Sequence, residues 1–243
     1  MTRRAGFSRW GLGLALVFFL VVLAGAGYWL YRSEASQGSR SLLVFTWLRD
    51  SQRDPDWAVQ AGERCGDAPF QMPTDGFIGF QWGDSFRIGH RHQGIDIFAG
   101  TDVNTTPVYA AFSGYLTRLP DWKSSVIVRV PDDPLQPGRQ IWTYYTHMAG
   151  SDGISFIAPD FPPGSHETFV EAGQLLGYQG NYSGDPGNPV GVHLHFSIIL
   201  DNGGGSWLNE LEFQNTLDPS PYLGLNLNAR EDPQPIPVCD ESL

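Results

Sequence analysis

The sequence predicts an all-β domain, built as an antiparallel sandwich or an open barrel-like sheet with long loops and preceded by one N-terminal transmembrane helix. Three observations support this class. Short runs of β-branched and aromatic residues alternate with turn residues, no long segment of the body has helical periodicity, and the 243 residues include 29 glycines and 18 prolines. These features are typical of strands joined by turns and loops. A chain of this length can bury one substantial core.

An uncharged apolar stretch occupies residues 10–31. Its 22 positions, as a helix, are long enough to cross the ~30 Å hydrocarbon core of a bilayer. Arg3, Arg4 and Arg9 precede it, and positive residues on that flank favour a cytoplasmic N-terminus. We therefore predict a cytoplasmic segment over 1–9, a retained membrane anchor over 10–31, and a body outside the cytoplasm. A cleaved signal peptide is the competing interpretation, because "LAGAG" offers small residues.

The body is strongly acidic. After Arg32 the chain carries 11 basic and 26 acidic side chains, a net charge of −15, and its single lysine is Lys123. Proteins bind nucleic acids and anionic lipid surfaces mainly by neutralising phosphates with Lys and Arg. The charge therefore argues against nucleic acid as a partner, and simple solubility is a sufficient explanation for it.

The body divides into three predicted parts. Residues 32–72 form a juxtamembrane linker and lead-in, in which "SLLVFTWL" is a short strand or packing segment, 73–223 form the folded domain, and 224–243 form a tail. Cys65 and Cys239 lie near the two ends of the folded region. In an oxidising exterior they are expected to form a disulfide that ties down the tail, and two free thiols are the alternative.

The stretch "GVHLHFSII", residues 191–199, places two of the six histidines one residue apart in an apolar run. On a strand, His193 and His195 point to the same face, roughly 6.6 Å apart. The spacing suits one shared site. The alternative is a strand whose polar face carries two solvated histidines.

A second motif, "HQGID", places His92 four residues before Asp96. On an unbent strand these residues would be ~13 Å apart, so the pair can share a site only if the chain bends, which Gly94 allows. Two imidazoles and one carboxylate, taken from His92, Asp96 and one histidine of the His-x-His pair, form the three-ligand set of catalytic zinc sites, with a fourth position open for water.

These motifs resemble those of the lysostaphin-like zinc endopeptidases, whose LytM-type domain acts on bacterial peptidoglycan. "HQGIDIFAG", "TPVYAAFSGYL", "YYTHM", "EAGQLLGYQG", "GVHLHFSI" and "DPSPYL" occur in the order and rough spacing of that family. The resemblance covers about residues 73–223. It implies a LytM-type fold, a zinc cofactor, and peptidoglycan peptides as substrates.

The resemblance also implies the roles of individual residues. It assigns His92, Asp96 and His195 to zinc, and His147 and His193 to a catalytic pair, in which either histidine could be the general base. Zinc chemistry suits this set, because the ion makes water acidic near neutral pH and an imidazole can then transfer the proton.

Tyr145 has two interpretations. It lies two residues before His147, so on a strand the two side chains would share a face. Its hydroxyl would then donate to the developing oxyanion. The alternative is that Tyr145 forms an aromatic core pair with Tyr144.

The remaining histidines and the longest loops complete the predicted site. His90 and His166 lie outside the motifs, and His90 is expected to be exposed, although it could line the cleft. The loops "FAGTDVNT" and 149–168 are expected to form walls of the substrate groove.

Two classes of function are compatible with the sequence. The first is a membrane-anchored zinc endopeptidase on the extracytoplasmic side of a bacterial envelope, which hydrolyses stem or cross-bridge peptides and could be regulated by an envelope protein. The second is a non-enzymatic module of the same fold that binds the wall or regulates a hydrolase. The presence of all five polar residues of the motifs favours the enzyme. A zinc hydrolase that acts on secreted proteins would differ only in its substrate.

Overall fold

The computed structural model describes residues 17–25, 27, 40–84, 90–225, 236, 237 and 239. The chain forms two compact units, Met1–Ser39 and Arg40–Leu243. In the first unit, residues 17–25 are helical. Within the described ranges, no helix has both the length and the apolar character needed to span a bilayer. The predicted anchor over 10–31 lies largely outside those ranges and stays a prediction.

The second unit is built mainly of β-strands, which confirms the predicted all-β antiparallel class. Residues 40–49 form a helix, α1, and a short helix, α2, spans Ser220–Leu223. Single 3-10 turns span Pro55–Trp57 and Phe213–Asn215. The strands are β1 (Ala58–Val59), β2 (Gly76–Phe80), β3 (Gly94–Phe98), β4 (Pro107–Tyr109), β5 (Gly114–Thr117), β6 (Val126–Val130), β7 (Ile141–Thr146), β8 (Thr168–Val170), β9 (Leu175–Tyr178), β10 (Leu194–Leu200) and β11 (Thr216–Leu217).

The strands form one large sheet and one small sheet. The large sheet runs in the order β1-β2-β3-β10-β7-β6-β5-β8, with β11 also paired to β10, and the small sheet pairs β4 with β9. Every pairing between these strands is antiparallel. Strand β10 lies inside the large sheet, between β3 and β7, so the His-x-His segment leads directly into a central strand.

The two faces of the large sheet have different roles. Ile97, Tyr145 and Phe196 point to one face and belong to the main hydrophobic core, which also includes Val108 of β4 and Leu176 of β9. Asp96 and His195 are direct partners in the β3–β10 ladder and point to the opposite face. The alternation of side chains along each strand therefore separates the core from the polar residues of the predicted site.

Helix α1 packs against the outer face of β2 and β3. Val44 and Trp47 are buried there with Phe77 and Phe98, and the Trp47 indole N–H donates to the Phe98 carbonyl at 2.6 Å. The sequence predicts a short strand or a packing segment here, and the structure shows packing by a helix. Burial at positions 40, 44 and 47 follows the helical period, although the run is too short for that pattern to stand out.

Gly94 lets β3 lie close to β10. A Cβ at this position would lie 2.2 Å from the Phe196 carbonyl oxygen. We expect Gly94→Ala to lower the free energy of unfolding by ~1–3 kcal/mol, the usual cost of overpacking, and to reduce metal binding because Asp96 follows two residues later. Thermal unfolding and metal content measure the two effects. Gly187→Ala is the control, because its nearest neighbour would be 3.4 Å away. Equal stability of the two variants would contradict the prediction.

A disulfide joins Cys65 and Cys239, as predicted, across 174 positions of sequence. A cross-link that closes so long a loop restricts the unfolded chain strongly. We expect reduction to lower the free energy of unfolding by about 2–5 kcal/mol, measured by denaturant titration with and without dithiothreitol. The Cys65→Ser, Cys239→Ser double variant should match the reduced wild type. A reduced protein as stable as the oxidised one would contradict the prediction.

Candidate metal centre

Three side chains from two motifs meet at one point on the outer face of the large sheet. His92 Nε2 lies 3.1 Å from Asp96 Oδ1 and 3.0 Å from His195 Nδ1, and the latter two atoms are 2.8 Å apart. All three residues are buried, and together they form a group that could hold a metal ion. The structure therefore brings together the three residues to which the sequence assigns metal binding.

Local structure explains how they meet. Asp96 and His195 face each other across the β3–β10 ladder. His92 precedes β3 and is held by the turn at 81–84, since its backbone N–H donates to the Asp84 carbonyl at 2.6 Å and its ring Nδ1 contacts the Gln81 carbonyl at 3.0 Å. Because an unbent strand would place His92 far from Asp96, the 3.1 Å contact requires a bend of the chain between them. The bend precedes Gly94, which is itself paired with Ser197 in β3.

The donor set suits a zinc ion. The Nδ1–H of His92 donates to the Gln81 carbonyl, and the Nε2–H of His195 donates to the Glu210 carboxylate at 3.0 Å. The lone pairs of His92 Nε2 and His195 Nδ1 then point at each other and at a carboxylate oxygen, an arrangement that needs a cation at its centre. Ligands of a tetrahedral zinc, at 2.0–2.1 Å from the ion, lie roughly 3.3 Å from one another, close to the observed separations.

The electrostatics of the centre favour positive charge. In the metal-free site burial opposes ionisation of Asp96, but attraction to His92 and His193 when they are protonated, and hydrogen bonds from protonated His195 and His92, hold the pKa of its carboxyl well below the usual range. Burial acts to lower the pKa of His195, but hydrogen bonds to Asp96 and Glu210 outweigh it and raise the pKa to about 10. Without a metal, a proton on His195 supplies part of the charge that this site attracts.

The two remaining histidines of the motifs lie beside this centre. The His147 and His193 rings are 4.4 Å apart between centroids, and His193 Nε2 is 3.7 Å from Asp96 Oδ1. Ring Nδ1 of His147 contacts the Tyr182 carbonyl at 2.7 Å, and that of His193 contacts the Gly191 carbonyl at 2.7 Å. Each Nδ1 therefore carries the proton, and each Nε2 is left as an acceptor.

Both of these imidazoles are neutral at physiological pH. Burial, followed by the neighbouring His193 and His195, lowers the pKa of His147 to about 3. Burial is also the largest effect on His193, and it lowers the pKa of that ring. Two neutral imidazoles with free Nε2 atoms beside a three-donor centre can accept and return a proton.

The structure places Tyr145 in the core, and its predicted role as an oxyanion donor is wrong. Its side chain is fully buried, its ring packs on Phe196, and its hydroxyl accepts the backbone N–H of Ala111 at 2.9 Å. The expectation that Tyr145 and His147 share a face fails because β7 ends at Thr146. His147 itself has a φ of +71°, and this left-handed residue breaks the alternation of faces.

A cavity of about 660 Å³ opens over the centre. One wall is α1, through Val44, Phe45 and Leu48, and another includes Val190 and Gly191. Residues 149–168, which are all described, do not line this cavity, and the prediction that this loop forms a wall of the substrate groove stays a prediction. Phe98 of the other predicted loop does line it.

The two histidines outside the motifs differ in their surroundings. His90 lines this cavity, so the expectation that it is merely exposed is wrong. His166 lies away from it, with its ring Nδ1 3.5 Å from the Thr117 hydroxyl.

Comparison with known proteins gives matches only among solved structures. No protein-family model matches the sequence, and no curated protein matches it significantly. Helicobacter pylori Csd3 is 19% identical with a TM-score of 0.38, over 63% of this chain and 34% of Csd3. A putative glycyl-glycine endopeptidase lytM from Ruminococcus gnavus is 24% identical with a TM-score of 0.34, over 53% of this chain and 44% of that one.

A third match is the catalytic domain, in mutant form, of the prophage-encoded M23 protein EnpA from Enterococcus faecalis. It is 19% identical with a TM-score of 0.35, over 63% of this chain and 96% of that domain. Solved structures named for lytM and M23 proteins are thus among those to which the chain is similar. This chain spans only about a third of Csd3. Each of these TM-scores is below 0.5.

Proposed function

We propose that this protein is a zinc endopeptidase that hydrolyses peptide bonds in the stem or cross-bridge peptides of peptidoglycan, anchored in the membrane by residues 10–31 with its domain on the extracytoplasmic side. One observation carries the enzymatic part of the proposal. Three buried donors converge within hydrogen-bond distance of one another, beside two neutral imidazoles.

The two groups of residues have separate tasks. His92, Asp96 and His195 hold the ion, which when bound supplies Lewis-acid polarisation and activates water near neutral pH. His193, whose Nε2 is 3.7 Å from Asp96, lies next to the donors and is placed to take a proton from water and return it to the leaving amine. His147, held at Nδ1 by the Tyr182 carbonyl, orients water or stabilises developing charge.

Substrate and location rest on the sequence. The order of motifs resembles a family that acts on peptidoglycan, and the acidic body disfavours polyanionic substrates. The cavity suits a peptide, because α1 gives it an apolar wall and its described lining includes neither lysine nor arginine. An envelope protein that regulates the enzyme is a further proposed partner.

The test is metal analysis of the full chain in detergent, coupled to muropeptide digestion with mass detection of the cut bond. We expect about one zinc per chain and products cleaved at a peptide bond. A panel of peptides unrelated to the cell wall separates a general zinc protease from a wall hydrolase. A zinc-loaded protein that binds muropeptides without cutting them would overturn the proposal in favour of a non-enzymatic wall-binding module.

A further inference from the structure

We infer that Glu210 is a positioning residue for the metal centre, whose carboxylate holds His195 in the tautomer that presents Nδ1 to the ion. The inference rests on the proposed function, because it concerns the same zinc site. Glu210 lies outside every motif of the sequence, and it follows the last motif histidine by fifteen positions.

The His195 ring is held from both sides. Its Nδ1 lies 2.8 Å from Asp96 Oδ1, and its Nε2 lies 3.0 Å from Glu210 Oε1. The His195 and Glu210 side chains are only 10% and 15% exposed. An imidazole can donate from one nitrogen and bind metal through the other, so the carboxylate on Nε2 decides which nitrogen is free for the metal. The carboxylate also makes the free nitrogen, Nδ1, a stronger metal ligand.

The loop that carries Glu210 is fastened on both sides of it. The Gln93 side-chain amide donates to the Leu211 carbonyl at 3.1 Å, and the Asn215 amide donates to the Asn209 carbonyl at 2.9 Å. These hydrogen bonds hold the loop backbone on either side of Glu210. The contact of Glu210 with His195 therefore differs from a surface ion pair, in which two long side chains must be ordered.

Aromatic contacts complete this attachment. The Phe213 ring stacks on Trp82 at 4.3 Å between centroids, and the Arg91 guanidinium lies 3.4 Å from the Phe213 centroid. Arg91 and Gln93 flank the metal ligand His92 in sequence. The same segment that supplies His92 thus also fixes the Glu210 loop, which couples the carboxylate to the geometry of the centre.

Glu210 is placed to support a ligand and not to act as one. The group that could hold a metal consists of His92, Asp96 and His195. The carboxylate contacts the far nitrogen of the His195 ring, so it points to the opposite side of that ring from the three converging donor atoms. Carboxylates in this position typically change metal affinity by 10- to 100-fold.

The experiment measures the zinc dissociation constant of the full chain in detergent by competition with a chromophoric chelator, together with the visible spectrum of the cobalt-substituted protein. We expect Glu210→Ala to weaken zinc binding by about 10- to 100-fold and to alter the cobalt spectrum. Glu210→Gln keeps an oxygen that can accept the Nε2–H, so it should restore most of the affinity. Glu212→Gln, a change on the exposed part of the same loop, should match the wild type.

Three results would overturn the inference. The first is an unchanged zinc constant and cobalt spectrum in Glu210→Ala with its thermal stability intact. The second is a loss of turnover in that variant at unchanged zinc affinity, which would make Glu210 an acid or base. The third is Glu210→Gln behaving like Glu210→Ala. Because the zinc constant and the cobalt spectrum need no substrate, a wild-type chain that binds zinc but cuts no wall peptide would refute the proposed function alone.

Discussion

His195→Ala is expected to abolish both metal binding and peptide hydrolysis. The variant removes a donor that lies 2.8 Å from Asp96 and 3.0 Å from His92, and the two donors that remain, both from one motif, hold zinc poorly. It also leaves the Asp96 and Glu210 carboxylates buried without the imidazole between them. Metal content should fall from about one ion per chain to near zero, and muropeptide digestion should fall to the level of chelator-treated wild type.

His166→Ala is the matched control, since it removes a histidine that contacts Thr117 away from the cavity. It should keep both metal and activity. Wild type that has been stripped and reloaded with zinc should recover activity, whereas His195→Ala should not. Full metal occupancy in His195→Ala would refute the ligand assignment.

His193→Ala and His147→Ala are expected to keep the metal and lose turnover. Neither side chain belongs to the three-donor group, and each holds its Nδ1–H on a backbone carbonyl, which leaves Nε2 to handle protons. General acid–base groups typically contribute ~10²–10⁴-fold to the rate. We expect kcat to fall by about that factor in each variant, with zinc content near one per chain.

The double variant separates the two residues' roles. If His147 and His193 act on the same proton, kcat of the double variant should be only slightly lower than kcat of the slower single variant, because such groups act as a unit. Loss of metal in His193→Ala would show instead that His193 is a ligand. Unchanged kcat in either single variant would remove that residue from the mechanism.

Strand alternation and local spacing predicted that His92, Asp96 and one histidine of the His-x-His pair share a site, and the family resemblance selected His195. The period of two placed His193 and His195 on one face, and the same rule sets Asp96 opposite His195 once β3 and β10 pair. The antiparallel class followed from short strand-like runs and abundant turn residues. These are local properties of the chain, so the sequence carries them directly.

The remaining features depend on contacts that the sequence does not display. The prediction that Tyr145 and His147 share a face assumed that β7 continues to His147, whereas the strand ends at Thr146 and His147 is left-handed. Helix α1 is stabilised by packing on Phe77 and Phe98. The sequence did not predict it, because ten residues contain too few turns for a clear periodic signal. The loop that carries Glu210 is held by contacts of its other residues with Trp82 and Gln93, which the sequence does not reveal. The one general clue is that a histidine bound to metal usually has a hydrogen-bond partner on its other ring nitrogen.

The position of α1 bears on how this protein is produced for assay. A recombinant fragment trimmed to the motif-bearing residues 73–223 would lack the helix, and Phe77 and Phe98 would then face water. It would also lack both half-cystines of the bridge and one side of the cleft. Such a fragment is expected to aggregate more readily, because apolar side chains that α1 covers would be exposed. Expression boundaries should therefore start before Arg40 and end after Cys239.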